Sequence, residues 1–171
     1  MKKNIWTLKI TIITFIISLL LSFTSEMIMP KVNIFGSVFL LLTFILIGIV
    51  FDMIGVSITS SDIKPFHSMN SKKLKGAKTA IKIIKNAPAF ASICNDVIGD
   101  ICGIISGSAG VIIANTISNT FHLNLVFVTL IITALIASLT IGGKAFAKTI
   151  AVKNSTKIIL VFSKIISIFY K

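Results

Sequence analysis

Two aspartates lie four residues apart in the stretch CNDVIGDICG, inside a long apolar run of the chain. On an α-helix, Asp96 and Asp100 would lie one above the other on the same face, with Asn95 one step around the helix. Carboxylate and amide oxygens, without a cluster of cysteine and histidine beside them, are the ligands that a hard cation such as Mg²⁺ prefers. The spacing therefore predicts an oxygen-lined cation site in this segment.

A third aspartate extends this prediction. The chain contains five acidic residues. Glu26 and Asp62 lie near helix ends, and Asp52 is the other one that falls well inside an apolar run. An ionised side chain near the centre of a bilayer costs at least about 2.5–3.5 kcal/mol on insertion scales, so it normally faces a partner or a water-filled cavity. We therefore predict one polar cavity that binds a partly dehydrated divalent cation, lined by Asp52, Asn95, Asp96 and Asp100. The alternative is that the aspartates are neutralised, either by Lys144 or by protonation in a low dielectric.

The composition places these residues in a membrane protein. Of the 171 residues, 55% are hydrophobic and 13% are charged, whereas soluble domains carry about 25% charged residues. Four apolar runs are long enough to cross a bilayer as helices, and they cover residues 5–29, 32–60, 87–117 and 123–147. The sequence therefore predicts an all-α, polytopic membrane protein with four transmembrane helices, folded as a single membrane domain over residues 1–171.

The first run also has the charged start of a signal peptide, because two lysines precede it. It is longer than the roughly 7–15 residues of a signal-peptide core, and the stretch LSFTSEMIMP offers no small-residue cleavage site. We therefore expect a retained helix over residues 5–29.

Lysine distribution predicts the orientation of the chain. All 17 basic residues are lysines, and they cluster before the first run, between the second and third runs, and after the fourth. Because lysine-rich connections stay on the cytoplasmic side, both termini are predicted to be cytoplasmic in a multi-pass protein of the cell membrane. A net charge of +12 could also indicate nucleic acid, but these lysines flank apolar runs and have no arginine or interleaved aromatics. We expect the lipid bilayer, and no nucleic acid, as the partner.

Two lysine-rich segments are predicted to form amphipathic juxtamembrane helices. The first, between the second and third runs, has apolar positions on one helical face and lysines on the other. Its apolar positions are Leu74, Ala77, Ile81 and Ile84. The second follows residue 147, and its apolar positions are Ile150, Ile158, Val161, Ile165 and Ile168. Either helix could lie along the membrane surface, and the second could instead pack against the first transmembrane helix.

Small residues accompany the predicted cation ligands. Gly99, Gly103 and Gly107 recur every four residues, and such a ridge lets another helix approach closely, from the same chain or from a second copy. A homodimer is therefore expected. The stretch SGSAG at residues 106–110 adds small residues that could mark a kink.

Catalytic constellations are missing from the sequence. It has no glycine-rich phosphate loop, no nucleophile elbow and no histidine paired with serine or cysteine at a usable spacing, so we do not expect an enzyme. Cys94 and Cys102 are eight residues apart, and His67 and His122 lie in different connections. The two cysteines are therefore predicted to be small buried residues rather than zinc or redox ligands.

Three segments carry a family resemblance. The stretch GAKTAIKIIKNAP is similar to the basic connector of the CNNM/CorC family of magnesium and cobalt transport proteins. The stretch SICNDVIGDICGIISGSAG is similar to the Ile-Gly-Asn helix of that family, and GKAFAKTIAVKN is similar to its Gly-Glu-x-x-Pro-Lys segment. Residues 50–157, about two-thirds of the chain, thus resemble the membrane domain of that family, and residues 5–29 form an extra helix outside it. The resemblance implies divalent-cation transport, and it implies that Asn95, at the position of the family's asparagine, is a cation ligand.

The chain also departs from the family pattern. Where the first family turn reads Ser-Gly/Ala-Ser-Glu, this chain reads DMIG, with Asp52 at the first serine position and Gly55 at the glutamate position. Lys144 stands in place of a second glutamate and Ala147 in place of a proline, whereas Lys148 is kept. The carboxylates of the expected site therefore lie at new positions. The family's cytosolic nucleotide-sensing module and transporter-associated domain are not expected in this chain.

Two functions from different classes are consistent with these patterns. The first is transport or binding of a divalent cation, Mg²⁺ or Co²⁺, through the intramembrane Asp/Asn site. The alternative is a non-transporting membrane partner subunit or scaffold of the same fold, in which Lys144 neutralises the aspartates. A pore-forming, holin-like protein is disfavoured by the acids inside the apolar runs and by the short connections.

Topology is the first testable prediction. Because of the lysine asymmetry, reporter fusions after Lys85 and after Lys171 should both report the cytoplasm, and a fusion after His122 should report the outside. A cytoplasmic signal from the His122 fusion would contradict the four-span arrangement.

Overall fold

The computed structural model describes residues 2–28 and 31–169, and every element within these ranges is helical. The elements in chain order are α1 (Lys2–Ile28), α2 (Ile34–Ser60), α3 (Lys64–Ser71), α4 (Ala77–Lys85), α5 (Ala87–Ser92), a π-helical segment (Ile93–Gly99), α6 (Asp100–Phe121) and α7 (Leu125–Phe169). The predicted all-α class is therefore confirmed.

Four stretches of this described chain are helical, long and apolar enough to cross a membrane. They are Ile10–Ile28, Ile34–Ser60, Ala87–Phe121 and Leu125–Ile168. The predicted number of long apolar helices is therefore confirmed. The prediction that the first run ends at Met29 falls outside the described residues.

Several hydroxyl side chains within these stretches are satisfied by their own helices. Thr43 Oγ1 donates to the carbonyl of Phe39 at 2.8 Å, and Thr133 Oγ1 donates to the carbonyl of Thr129 at 2.8 Å. Such bonds to the carbonyl four residues earlier remove the need for a second partner. These threonines are therefore compatible with an apolar surrounding, where an unpaired polar group would cost several kcal/mol.

The last helix is longer than predicted. It was expected to end at residue 147, but α7 continues to Phe169, with non-helical angles at Asn154 (φ −119°, ψ 22°). No proline or glycine follows Gly143 in the sequence, and lysines are good helix formers, so the helix runs on past residue 147 as far as the kink at Asn154 and resumes after it. The expected second amphipathic helix is thus the continuation of α7 beyond this kink.

Local side chains define the turn between α6 and α7. His122 adopts a left-handed conformation (φ 53°) just after α6, as is common for the residue that follows a helix. Ser118 Oγ donates to the carbonyl of Leu123 at 2.6 Å, and the backbone N–H of Val126 donates to Asn124 Oδ1 at 3.0 Å. Asn124 therefore caps the N-terminus of α7.

The irregularity in the third long stretch lies earlier than expected. Residues 106–110 were predicted to mark a kink, but they lie inside α6, which runs without interruption from Asp100 to Phe121. The departure from α-helical geometry is instead the seven-residue π-helical segment. A π-helix closes its hydrogen bonds over five residues rather than four, so each of its turns holds an extra residue.

The chain forms two compact units, and the prediction of a single membrane domain stays a prediction. Unit 1 comprises Met1–Ile47 and Asp100–Thr140. In it, α6 packs against α7 at Gly110, where an added Cβ would overlap Ile136 and lie 3.5 Å from Ile132. Glycine at this position therefore allows the two helices to approach closely.

Unit 2 comprises Gly48–Gly99 and Ile141–Lys171. Its core is formed around Phe66 of α3, which is fully buried, together with residues from α2, α4 and α7. The other large core side chains are Ile54, Ile58, Ile81, Ile83 and Ile159. The helices of the basic connector are therefore part of a packed core.

Helix α4 shows how this core uses the predicted amphipathic pattern. Ala77, Ala80 and Ile81 are buried, whereas Lys78 and Lys82 are exposed. The apolar face of α4 thus has protein neighbours within unit 2. Association of this helix with the membrane surface stays a prediction that rests on its lysines.

Beyond residue 147, the face of α7 that is buried differs from the predicted apolar stripe. The buried residues are Ala147, Ala151, Ile159 and Ser163. Val161, Ile165 and Ile168 of the predicted stripe are more than half exposed. Three of these four residues are small and lie at multiples of four residues along one face, so they allow close approach, and Ile159 adds one large side chain to that face.

Gly76 provides a test of this packing. It has φ +87°, and an added Cβ would lie 2.9 Å from both the backbone nitrogen and Cγ of Lys164. We expect Gly76→Ala to lower the free energy of unfolding by at least about 1–2 kcal/mol, because an L-residue is strained there and the contact with α7 is backbone. Urea or thermal unfolding in detergent measures the change.

Gly142→Ala is the matched control. Gly142 lies within α7, and an added Cβ there meets nothing within 4 Å, so alanine should be neutral or stabilising by roughly 0.5–1 kcal/mol. Equal stability changes in the two variants would contradict the packing of the α4 start against α7.

Candidate cation site

One face of α2 contributes a buried carboxylate to unit 2. Gly48, Asp52 and Gly55 are spaced by four and three residues, so they lie along one side of the helix. Asp52 is only 6% exposed, and its Oδ2 atom is buried without a hydrogen-bond partner. A buried, unpaired carboxylate oxygen is costly, and it is the kind of exception that demands a functional explanation.

The π-helical segment places an amide oxygen against the same face of α2. A Cβ added at Gly55 would overlap the whole side-chain amide of Asn95, with Oδ1 as the nearest atom. Asn95 therefore occupies the space that a side chain at position 55 would fill. Its Oδ1 atom is also buried without a hydrogen-bond partner.

A second close approach lies at the other end of this contact. From an ideal Cβ position on Gly99, the carbonyl oxygen of Gly48 is 3.7 Å away and the Nζ atom of Lys144 is 3.8 Å away. Gly55 thus meets Asn95 while Gly48 meets Gly99, so α2 and the π-helical segment run antiparallel with Asp52 between the two points. Lys144 of α7 brings an ammonium group to the same contact.

Asp96 and Asp100 lie in different elements rather than in the one α-helix expected for them. Asp96 belongs to the π-helical segment and Asp100 to α6. Asp96 is exposed, and its Oδ2 accepts a hydrogen bond of 2.7 Å from Ser92 Oγ. Asp100 is also exposed and begins α6, which belongs to unit 1. Of the four predicted ligands, Asp52 and Asn95 are the two with a buried oxygen that lacks a hydrogen-bond partner. Both lie on the elements that meet where α2 packs on the π-helical segment, and we call this region the Asp52–Asn95 contact.

Sequence reasoning missed the residues that shape this contact. Gly48 and Gly55 were not recognised as a packing face, although their spacing around Asp52 is a usable signal. The predicted ridge instead combined Gly99 with Gly103 and Gly107. An added Cβ at Gly103 or Gly107 meets nothing within 4 Å, so this chain does not use those two glycines for close packing within residues 2–28 and 31–169.

The ligands of this contact suit a hard cation that keeps several of its waters better than a cation that needs a full set of protein ligands. Over the residues that the structure describes, no group of three or more His, Cys, Asp and Glu side chains could hold a metal ion. Asp52 and Asn95 supply one carboxylate and one neutral oxygen, and Mg²⁺ commonly binds through one or two carboxylates while keeping several waters. Cys94 and Cys102 are buried thiols, as predicted for small apolar residues.

Comparison of the chain with family models, with characterised proteins and with solved structures finds no match. The resemblance to the CNNM/CorC family therefore rests on the three sequence segments alone.

Gly55→Ala tests the contact between α2 and Asn95. The added methyl group would overlap the Asn95 amide, so we expect a loss of roughly 1–3 kcal/mol in the free energy of unfolding. Adding Asn95→Ala removes the overlapping group and should restore part of that loss, which a double-mutant cycle of thermal or urea unfolding measures.

Gly103→Ala is the control for this cycle, because an added Cβ there has open space. It should show no coupling to Asn95→Ala. Additive effects of Gly55→Ala and Asn95→Ala would mean that the two residues are not in contact.

Proposed function

We propose that the protein binds a divalent cation, Mg²⁺ or a similar hard ion such as Co²⁺, at the Asp52–Asn95 contact and carries it across the cell membrane. The observation that carries the proposal is the pair of unpartnered buried oxygens of unit 2, Asp52 Oδ2 and Asn95 Oδ1, with Asn95 packed on Gly55, about one turn from Asp52 on α2. A cation would supply the missing partner to both. The cation is the cargo of the protein in this proposal.

Burial explains why this site favours a hard cation with retained water. The ligands are oxygens only, and two side chains cannot complete the six-coordinate shell of Mg²⁺. Waters on the ion would fill the remaining positions, and their retention avoids most of the dehydration that Mg²⁺ resists. Weak, partial coordination also suits an ion that must leave the site again.

The cost of burying an unpaired carboxylate also supports a cation site at Asp52. A buried acceptor without a partner costs about 1–3 kcal/mol, and more when it is charged. Replacement of Asp52 by a neutral residue would remove this cost, so a carboxylate at this position is explained by a function rather than by folding. Intramembrane ionisable residues commonly mark ion pathways, which supports a transport role.

Lys144 supports the second candidate function. Its Nζ atom lies at the same contact as Asp52, and an ammonium group there could neutralise the carboxylate without any metal. The protein would then be a non-transporting partner subunit or scaffold, held together by a buried ion pair.

The membrane topology and the oligomeric state of the protein are also part of this proposal. Four long apolar helices are compatible with a multi-pass membrane protein, and the lysine-rich connector favours a cytoplasmic position for both termini. A homodimer is supported by Gly103 and Gly107, whose open Cβ positions leave room for a second copy to approach.

Thermal unfolding with and without Mg²⁺ distinguishes the two functions. For the cation site, Mg²⁺ should stabilise the wild type, by about 2.7 kcal/mol at one hundred times its Kd. Asp52→Asn should raise the melting temperature in chelator by removing the unpartnered charge, and should abolish the response to Mg²⁺. For an ion pair with Lys144, Asp52→Asn should instead lower the melting temperature, and Mg²⁺ should have no effect on the wild type.

Two further variants sharpen the comparison. Asp62→Asn makes the same charge change at an exposed aspartate whose Oδ1 accepts a bond from the backbone N–H of Lys64, so its Mg²⁺ response should equal that of the wild type. Lys144→Met should strengthen Mg²⁺ binding, because a competing cation is removed. If Lys144 is only the partner of a buried pair, its loss should destabilise the fold by roughly 3–5 kcal/mol.

Transport is measured on the same set of proteins in liposomes. Wild type and Asp62→Asn should move Mg²⁺ or Co²⁺ into the vesicles at equal rates, whereas Asp52→Asn should be at least about tenfold slower, equivalent to about 1.4 kcal/mol. Binding without uptake would limit the function to cation binding.

A further inference from the structure

A cavity in unit 2 combines lysines with apolar side chains. It has a volume of about 370 Å³, within the size range of small-molecule sites. Its lining comes from α4, α5 and the end of α7, and consists of Lys78, Thr79, Lys82, Ile83, Asn86, Phe90 and Ile166. This cavity is separate from the Asp52–Asn95 contact and shares no residue with it.

The lysines of this cavity are not explained by helix stability alone. Lys78 and Lys82 are four residues apart on α4 and both are exposed, so their like charges repel each other. Lys82 lies in the last turn of α4, where the helix dipole favours a cation. Lys78 lies in the first turn, where the same dipole disfavours a cation, so an anion bound between the two lysines would offset both effects.

The sequence around the cavity strengthens its positive charge. Residues 63–95 contain seven lysines and no aspartate or glutamate. A surface with charges of one sign attracts the opposite charge from several ångströms away. Phosphate groups are the anions that clusters of lysine bind as point charges.

The base of the cavity is apolar and lies at the start of a long apolar helix. Ile83 is 1% exposed, and Phe90 lies in the first turn of the Ala87–Phe121 stretch. The lysines precede this stretch in the sequence, and the aromatic side chain lies inside it. A ligand of the cavity would therefore meet charged groups at one end and hydrocarbon at the other.

We propose that this cavity binds the headgroup of an anionic phospholipid. The phosphate lies between Lys78 and Lys82, and Thr79 and Asn86 provide neutral hydrogen-bonding groups beside it. Asn86 Nδ2 donates to the carbonyl of Lys82 at 3.1 Å, which leaves its amide oxygen as an acceptor for a headgroup hydroxyl. The glycerol and the upper acyl chain lie against Phe90 and Ile166.

Amphiphilic chemistry distinguishes a lipid from free phosphate. Inorganic phosphate would use the lysines alone and leave the apolar base in contact with water. A zwitterionic lipid would fit the apolar base, but its positive group would offset the attraction of the phosphate for the lysines. The combination of both surfaces therefore favours an anionic lipid.

The test uses the full chain in detergent with three soluble probes. These are dihexanoyl phosphatidylglycerol, dihexanoyl phosphatidylcholine and inorganic phosphate, and binding is measured by thermal shift and by native mass spectrometry. We expect binding of the phosphatidylglycerol, and binding at least about tenfold weaker for the other two probes. Equal binding of inorganic phosphate, equal binding of phosphatidylcholine, or no binding of phosphatidylglycerol would each overturn the proposal.

A matched pair of double variants separates the cavity from general surface charge. Lys78→Gln with Lys82→Gln should weaken phosphatidylglycerol binding about thirtyfold, as expected for two lysines that each contribute to attraction of anionic lipid. Lys72→Gln with Lys73→Gln removes the same charge from the neighbouring exposed turn, outside the residues that line the cavity, and should weaken binding less than about threefold. Equal losses in the two double variants would show that only the overall charge attracts the lipid.

Discussion

The close approach of α2 to the π-helical segment is the contact on which the candidate site depends. Glycines at both ends of the contact, Gly55 against Asn95 and Gly48 against Gly99, allow backbone and short side chains to meet where larger residues would hold the helices apart. The same closeness leaves little room for water, so the oxygens of Asp52 and Asn95 lack the partners that solvent would provide. The packing that brings the helices together therefore also leaves these two oxygens without hydrogen-bond partners.

Unit 2 carries opposite charges in two different environments. A buried carboxylate lies in the contact between helices, while the lysines of α4 lie on the exposed surface. A lysine-rich surface repels divalent cations in solution, and repulsion of this kind slows association. Bound anionic headgroups would reduce that repulsion, so the lipid content of the membrane would influence how readily a cation reaches the buried site. The two proposed sites use separate residues, but the charges of both contribute to the same electrostatic field.

Hydropathy was sufficient to predict the helices but not the site. Long apolar runs without proline dictate helices in an apolar surrounding, because every backbone group must be satisfied within the segment, and α2 begins only two residues after its predicted start. The end of α7 was missed because a change from apolar to lysine-rich sequence marks a change of environment, not a helix end. Asp52 was predicted from its residue type inside an apolar run, and Asn95 from its place beside Asp96 and from the family resemblance. The contact of Asn95 with Gly55 depends on the register between two helices, and periodicity within either helix contains no information about that register.

The π-helical segment has a consequence for how this protein should be compared with others. An extra residue in one turn arises when a single residue is inserted into an α-helix, and its removal would restore a regular helix. A relative without that residue would present a different face of α6 even if every side chain beyond Gly99 were identical. An alignment without a gap at residues 93–99 would then pair positions that face different neighbours. A single-residue gap at this point in a future alignment would therefore carry structural meaning, and the residues on either side of it should be compared separately.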